Sequence, residues 1–510
     1  MSGKQKKKEF VILTIIFAGY LIFNGILLFR HELWRDEANV WLMAKELSPI
    51  QLLRELKYQG HPCLWYFLVM PFAKAGLPFR TISVISYLVM AAGAGVFLYK
   101  APIHGVTKAL CLFSPMFSYY YSVVARNYCL SALILILLAY FYSKRNEKCI
   151  LYGLLLGLLV QTDSIVLLTA GLISLMWLAE NLYQVYKKRN IGPLLNILRG
   201  IWIPFASLLL WIAQFYQVSD SPEFGIRMVS GGEFIRETIN YVFSILTRLT
   251  GGGRIFDEVI ILLFFAGALI ISCKLKNFWA MAVMTASFLF EAIFSEMVYQ
   301  LHIWHFIALC FVLIWFVWVT IEQKKEKETS DSKSTRTARA IMELLLVIMA
   351  VSMFGRWNAE EENSSLENAL HGIYSDGKYT AEYIKNELPE DALFISDNIP
   401  YASTVLAYLG GDYEFYYGGE QKTESYADWS KAQSSTVRLE ELLAWVKTAF
   451  PQREEFYILK TADSCIKEAE GLKEYEICYQ TPEAAARGEE YTIYRVKIKE
   501  TPEAGVSDND

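Results

Sequence analysis

The order of apolar runs and basic loops constrains this chain more than any other feature of its sequence. A lysine-rich start, Met1 to Glu9, precedes an apolar run from Phe10 to Phe29, close to the ~20 residues a helix needs to cross the hydrocarbon of a bilayer. No small-residue cleavage site follows, so the run reads as a retained first span with its basic end in the cytoplasm. Further runs lie at Thr81 to Tyr99, Val106 to Val124, Tyr128 to Tyr142, Cys149 to Val160, Ile165 to Leu178, Ile201 to Tyr216, Val259 to Ile271, Phe278 to Val298, Ile303 to Thr320 and Ile341 to Phe354. With the first, they imply about eleven crossings, and an odd count puts the C-terminus outside. On that count Lys100 to Lys108, Ser143 to Lys148, Tyr186 to Arg199, Lys274 to Asn277 and Glu322 to Arg339 all fall inside, and all are basic. Pro62 to Pro78 is apolar but broken by Pro71, Lys74 and Gly76. A full crossing there would turn every later basic loop outward, so it reads as interfacial or re-entrant.

Composition agrees: 54% hydrophobic and 15% aromatic residues over 510 positions exceed what a soluble core of this size hides. The formal charge of -5 conceals basic loops and an acidic final third, and nothing points to nucleic acid. Cys63, Cys111, Cys129, Cys149, Cys273 and Cys310 are isolated in apolar stretches and read as packing residues, while Cys465 and Cys478 can pair if their region faces an oxidising compartment. From Arg356 the chain turns polar. Lys378 to Leu388 and Leu439 to Phe450 read as amphipathic helices; Ala392 to Ser396, Glu414 to Tyr417, Phe456 to Leu459 and Tyr491 to Val496 read as strands. The expectation is a polytopic α-helical membrane protein, multi-pass in the cell membrane with its N-terminus cytoplasmic. Residues 1–356 form the membrane domain and residues 357–510 a soluble extracytoplasmic α/β domain. Within the former, 31–79 and 217–258 are outer loops and 321–340 a cytoplasmic linker.

The segment with the most chemistry follows the first run: His31-Glu32-Leu33-Trp34-Arg35-Asp36-Glu37-Ala38-Asn39. Asp36 can cap the helix that follows, with Glu37 complementing its dipole. A carboxylate held beside a membrane wall and partly desolvated can equally act as a general base toward a hydroxyl. Gly60-His61-Pro62-Cys63-Leu64-Trp65-Tyr66 comes next; His61 alone reads as a loop histidine, with Pro62 opening a helix. Ser114-Pro115 then leads through Tyr119, Tyr120 and Tyr121 to Ala125-Arg126-Asn127-Tyr128, where Arg126 alone is a cation snorkelling among interfacial tyrosines.

Together, Trp34-Arg35-Asp36-Glu37-Ala38, Gly60-His61-Pro62 with Leu64 and Tyr66, and Ser114-Pro115 leading to Tyr121-Ser122 and Ala125-Arg126-Asn127-Tyr128 resemble the GT-C glycosyltransferases. The similar branches are the dolichyl-phosphate-mannose protein mannosyltransferases and the bacterial aminoarabinose transferase of lipid A. The resemblance implies transfer of a sugar from a polyprenyl-phosphate donor to an extracytoplasmic hydroxyl, generally with inversion. It implies Asp36 as the base, Glu37 as its neighbour or a support for the acceptor, and His61 and Arg126 as donor phosphate ligands. The leaving group is a phosphate, so cations suffice and no general acid is needed. Several positions depart from the pattern: Ala125 stands where Glu is frequent, Cys63 where a second proline is usual, and Asn127-Tyr128 where the aminoarabinose branch has an aspartate. Asp163, in Gln161-Thr162-Asp163-Ser164, is then a possible second acid or a helix cap. Leu301-His302-Ile303-Trp304-His305 replaces a late Arg-Tyr. His302 and His305 share a helix face and can bind phosphate or metal, or simply line a polar seam.

Arg227, Arg236, Arg248 and Arg254 in the long outer loop are available to anionic ligands, and Tyr413 to Tyr417, Tyr426 and Trp429 can stack on sugars or pack within their own domain. No cofactor is required on this reading, although a divalent cation is possible. The partners are the lipid-linked donor, an outer acceptor (protein, lipid or cell-wall glycan) and the bilayer. The rival classes are a multi-span transporter or flippase for a lipid-linked or anionic substrate, and a membrane anchor for an outer binding domain. Mid-span charges and inverted repeats would favour the first; so many spans argue against the second.

Overall fold

The computed structural model describes residues 3–216, 231–250, 259, 265–270, 272–273, 277–327, 333–358, 366–396, 398–410, 413–429, 437–461, 475–482, 484–486 and 488–498. The chain divides into two units, one of Met1–His31 with Ala44–His371 and one of Glu32–Met43 with Gly372–Asp510. The short segment behind the first apolar run thus packs with the C-terminal residues.

In the first unit, α1 (Gly3–Arg30) is followed, after α2 (Arg35–Glu46) of the second unit, by α3 (Pro49–Glu55), α4 (Leu64–Lys74), α5 (Thr81–Lys100) and α6 (Gly105–Phe113). Next come α7 (Tyr128–Phe141), α8 (Cys149–Val160), α9 (Leu167–Lys188), α10 (Gly192–Phe215) and α11 (Gly231–Thr250). The unit ends with α12 (Phe278–Met297), α13 (Ile303–Lys327), α14 (Lys333–Met353) and the short α15 (Leu366–His371). Among the described residues six helices are long and apolar enough to cross a membrane. They make this a membrane protein. α1 exposes Phe10, Ile12, Ile15 and Ile22 and buries Tyr20 and Asn24, so lipid rather than protein covers its apolar flank.

The remaining runs differ from the sequence reading in length. Val106 to Val124 is not one helix: α6 ends at Phe113, because Pro115 disfavours helical backbone at Ser114. The chain then turns, with Tyr119 at a φ of 68°. Asn24 of α1 holds these turns, its Oδ1 accepting from Ser122 Oγ (2.6 Å) and the Tyr119 amide (3.3 Å). α4 has 11 residues, about half of what a crossing needs. α13 continues to Lys327 and α14 starts at Lys333, so helix occupies much of the expected linker. Val259 to Ile271 lies partly outside the described residues, and Arg227, Arg254 and Cys465 lie wholly outside them. α8 and α10 touch backbone to backbone: a Cβ on Gly200 would lie 2.0 Å from the Cys149 carbonyl oxygen, and one on Gly153 would lie 2.1 Å from that of Gly200.

The second unit is α/β. Its sheet has the order β3-β2-β1-β4-β6-β5, formed by β1 (Phe394–Ser396), β2 (Phe415–Tyr417), β3 (Lys422–Glu424), β4 (Glu455–Thr461), β5 (Glu476–Gln480) and β6 (Tyr491–Lys497). β1 runs parallel to both β2 and β4, and the other pairs are antiparallel. The pleat sends alternate side chains to opposite faces. Phe394, Tyr457, Leu459 and Ile493 meet α16 (Gly377–Glu387) and α17 (Ile399–Leu409) on one face. Ile395, Phe456, Ile458 and Val496 meet α18 (Leu439–Ala449) on the other. Tyr417 is buried and Tyr416 packs against Trp445 and Phe450, so these tyrosines serve the domain's own core.

Candidate active site

Asp36 and Glu37 stand in the first turn of α2 with different surroundings. Glu37 is fully buried and its Oε2 accepts the Trp34 amide at 3.1 Å, the glutamate half of a capping box. Asp36 keeps 22% of its side chain exposed, with Arg35 Nε 3.7 Å from its Oδ1. The helix starts at Arg35, so Asp36 lies inside the first turn and is not the cap expected from sequence; Glu37 ties the helix start and Asp36 keeps an exposed face. The C-terminal residues of the same unit hold this segment at several points. Glu32 accepts the Tyr374 amide (3.1 Å) and the Tyr379 hydroxyl (3.4 Å), the Leu33 amide donates to the Tyr408 hydroxyl (2.8 Å), and Asn39 Oδ1 accepts the Ala427 amide (2.7 Å).

Glu489 escaped the sequence reading, and Arg35 entered it only as a member of its motif. The Arg35 amide donates to Glu489 Oε1 at 3.0 Å, while its guanidinium lies 4.4 Å from the centre of the Tyr401 ring. Burial pushes the Glu489 carboxyl up to about 7, against the pull of Ser375, Arg35 and Tyr491. No local signal marks Glu489, since an acidic residue just before a strand is common.

In the first unit, residues from three separate motifs meet. Arg126 Nη2 lies 2.6 Å from His61 Nε2. A guanidinium has only donors, so His61 Nε2 accepts and the ring proton sits on Nδ1. That nitrogen faces Asp163 Oδ2 at 3.8 Å. Asn127 Nδ2 donates to the Thr162 carbonyl (2.8 Å) and to Asp163 Oδ2 (2.9 Å), which uses both of its hydrogens. Its 3.3 Å approach to His61 Nδ1 is therefore a contact only. Asp163 Oδ1 accepts the Ile165 amide at 2.9 Å, a local turn in the loop before α9; the cap position of that helix is Val166, so Asp163 is not the helix cap expected from sequence. Burial pushes the Asp163 carboxyl up to about 6, offset by Ile165, Asn127 and Arg126. The His61 loop is fixed on both sides: Ser164 Oγ donates to the Gly60 carbonyl (3.1 Å) and the Cys63 amide to Gln214 Oε1 (3.0 Å).

Two solved structures are similar to this chain along almost all of it. The crystal structure of ArnT from Cupriavidus metallidurans in the apo state superposes with a TM-score of 0.51 at 13% identity, covering 96% of this chain and 98% of that one. The crystal structure of ArnT from Cupriavidus metallidurans bound to undecaprenyl phosphate gives 0.46 at 12% identity, covering 97% and 98%. No family model and no curated protein matches the sequence. The chain has the GT-C fold.

Of the other candidates in this GT-C chain, His305 is buried and touches Tyr128 edge to face, with ring centres 5.6 Å apart. Its Nδ1 accepts the His302 amide at 2.9 Å, so that nitrogen caps α13. His302 stacks on Trp304, 4.6 Å between ring centres. Tyr128 links the histidines: its ring lies 5.9 Å from that of His61 and 5.6 Å from the Arg126 guanidinium. Among the described residues no three His, Cys, Asp or Glu side chains are grouped to hold a metal ion. Arg236 pairs with its neighbour Glu237 at 3.0 Å.

Proposed function

We propose that this protein is a membrane glycosyltransferase that moves a sugar from a polyprenyl phosphate to a hydroxyl on the outer side of the membrane, with inversion. The observation that carries the reading is the 2.6 Å contact of His61 with Arg126, side chains picked from separate motifs for the same phosphate and brought together beside Asp163. The GT-C fold supports it. In this reading Asp36 takes the proton of the acceptor hydroxyl, whose oxygen bonds to the anomeric carbon. The bond from that carbon to the phosphate oxygen breaks, and polyprenyl phosphate leaves as the anion. Arg126 holds that charge. His61, neutral, orients the guanidinium, and Asp163 fixes the tautomer of His61. His302 and His305 line the donor side, and Glu37 keeps the first turn of α2 in place.

No metal is required on this account. Chelator leaves the rate of sugar transfer unchanged; loss of transfer in chelator, restored by a divalent ion, would assign a metal role.

One observation favours a second reading. Glu291, on α12, is buried, and its Oε2 meets no hydrogen-bonding partner among the described residues. A mid-span acid of that kind suits a transporter or flippase. Proteoliposomes loaded with radiolabelled polyprenyl-phosphate sugar and an outer acceptor extract separate the two. Label that becomes covalently attached to acceptor supports the transferase, and label that changes leaflet while still lipid-linked supports the transporter.

A further inference from the structure

A buried carboxylate is costly to keep unless it is fully hydrogen-bonded, and Glu489 is bonded on every side. Its Oε1 accepts the Arg35 amide at 3.0 Å and Thr404 Oγ1 at 3.3 Å; its Oε2 accepts Ser375 Oγ at 2.7 Å and the Tyr491 hydroxyl at 2.8 Å. Three of these donors belong to the C-terminal domain itself, and the fourth is the amide immediately before Asp36. The surrounding backbone is shaped for this contact. Gly488 has a φ of +82°, and a Cβ there would lie 2.2 Å from the Tyr401 ring on which the Arg35 guanidinium rests. We propose that Glu489 is a positioning residue for Asp36, locking the Arg35 backbone so that the C-terminal domain sets where the acid stands.

The inference rests on the reading of Asp36 as the base. It explains why residues 32–43 pack with a domain so distant in sequence, and why Glu32, Leu33, Arg35 and Asn39 are each tied to that domain while Asp36 keeps an exposed face. A displacement of about 1 Å at a reacting group can lower a rate on the order of 100-fold, so a lock at the preceding residue bears directly on turnover.

The test uses the full-length protein in lipid with Glu489→Ala, Glu489→Gln, Tyr408→Phe and Asp36→Asn, each checked for its melting temperature. Glu489→Ala is expected to lower kcat roughly 10- to 100-fold with donor KM nearly unchanged. It should also speed amide hydrogen exchange across residues 32–43 while β4 and β6 stay protected. Glu489→Gln, whose amide oxygen still accepts the Arg35 amide, recovers most of the rate. Tyr408→Phe, which removes only the tie to Leu33, lowers kcat about fivefold and serves if Glu489→Ala does not fold. In an Asp36→Asn background Glu489→Ala lowers the residual rate no further. An inactive Asp36→Asn beside a folded Glu489→Ala of wild-type kcat overturns this inference alone, as does a loss confined to the active fraction. Full activity of Asp36→Asn overturns the base assignment and this inference with it.

Discussion

The two clusters of candidate residues are organised by opposite means. Asp36 sits on a helix start whose neighbours are tied by backbone amides and side-chain oxygens to the rest of an α/β unit, through Glu489, Tyr408, Tyr374 and Ala427. The His61, Arg126 and Asp163 cluster sits where turns between helices meet, and its members hold one another by side chains. The first arrangement holds the backbone on both sides of an acid whose own side chain stays 22% exposed beside Arg35. In the second, His61 meets Arg126 while Asn127 and Asp163 hold each other beside it, and the proposed function uses this arrangement to keep one cation in place for a phosphate.

If the second cluster exists to present one charge, its members differ in weight. Arg126→Ala is expected to lower kcat/KM for the donor on the order of 100- to 1,000-fold, and Arg126→Lys not to restore it, since a point charge cannot both hold His61 and reach a phosphate. His61→Ala, which loosens Arg126 but leaves its charge, should cost about tenfold. Steady-state kinetics with a radiolabelled polyprenyl-phosphate sugar order the three, and a His61→Ala defect larger than that of Arg126→Ala would make the imidazole the phosphate ligand.

The smaller effect belongs to the first cluster and concerns stability. Burial raises the folded-state pKa of Glu489 to about 7 from an ordinary 4.5. Between these values the folded chain binds a proton that the unfolded chain has released. The contribution is therefore fully present below about pH 4.5 and is lost as pH rises through about 7, on the order of 3 kcal/mol in all. Arg35, Tyr491 and Ser375 are the groups whose bonds oppose the shift. Denaturant unfolding of the full chain across that range should show stability falling with pH, and Glu489→Gln should flatten the fall; an unchanged slope in Glu489→Gln would assign the dependence to another group.

Much of the fold was legible because its signals are periodic. The expected helices Lys378 to Leu388 and Leu439 to Phe450 and all four expected strands have counterparts whose ends lie within one or two residues. β5 was missed because Glu476 to Gln480 presents no buried face, and α17 because its apolar residues give no helical stripe when nearly all of them are buried. Val106 to Val124 misled because Met116, Phe117 and three tyrosines keep hydropathy high past the break at Pro115. Of the candidate residues, Asp36, His61 and Arg126 were legible as motif members and Asp163 only as a possible second acid; the meeting of the last three was not legible, since it depends on how the chain turns between helices. Glu489 was illegible: its meaning lies wholly in the partner it reaches.

The central claim is that Asp36 takes a proton during transfer of a sugar from a polyprenyl phosphate. Single-turnover release of radiolabelled sugar from its polyprenyl phosphate, by wild-type protein and by Asp36→Asn in the same lipid with acceptor present, tests it most directly. The account predicts covalent transfer by the wild type and a loss of about 100- to 10,000-fold in Asp36→Asn at unchanged donor affinity and unchanged melting temperature. Equal release by the two proteins would contradict it.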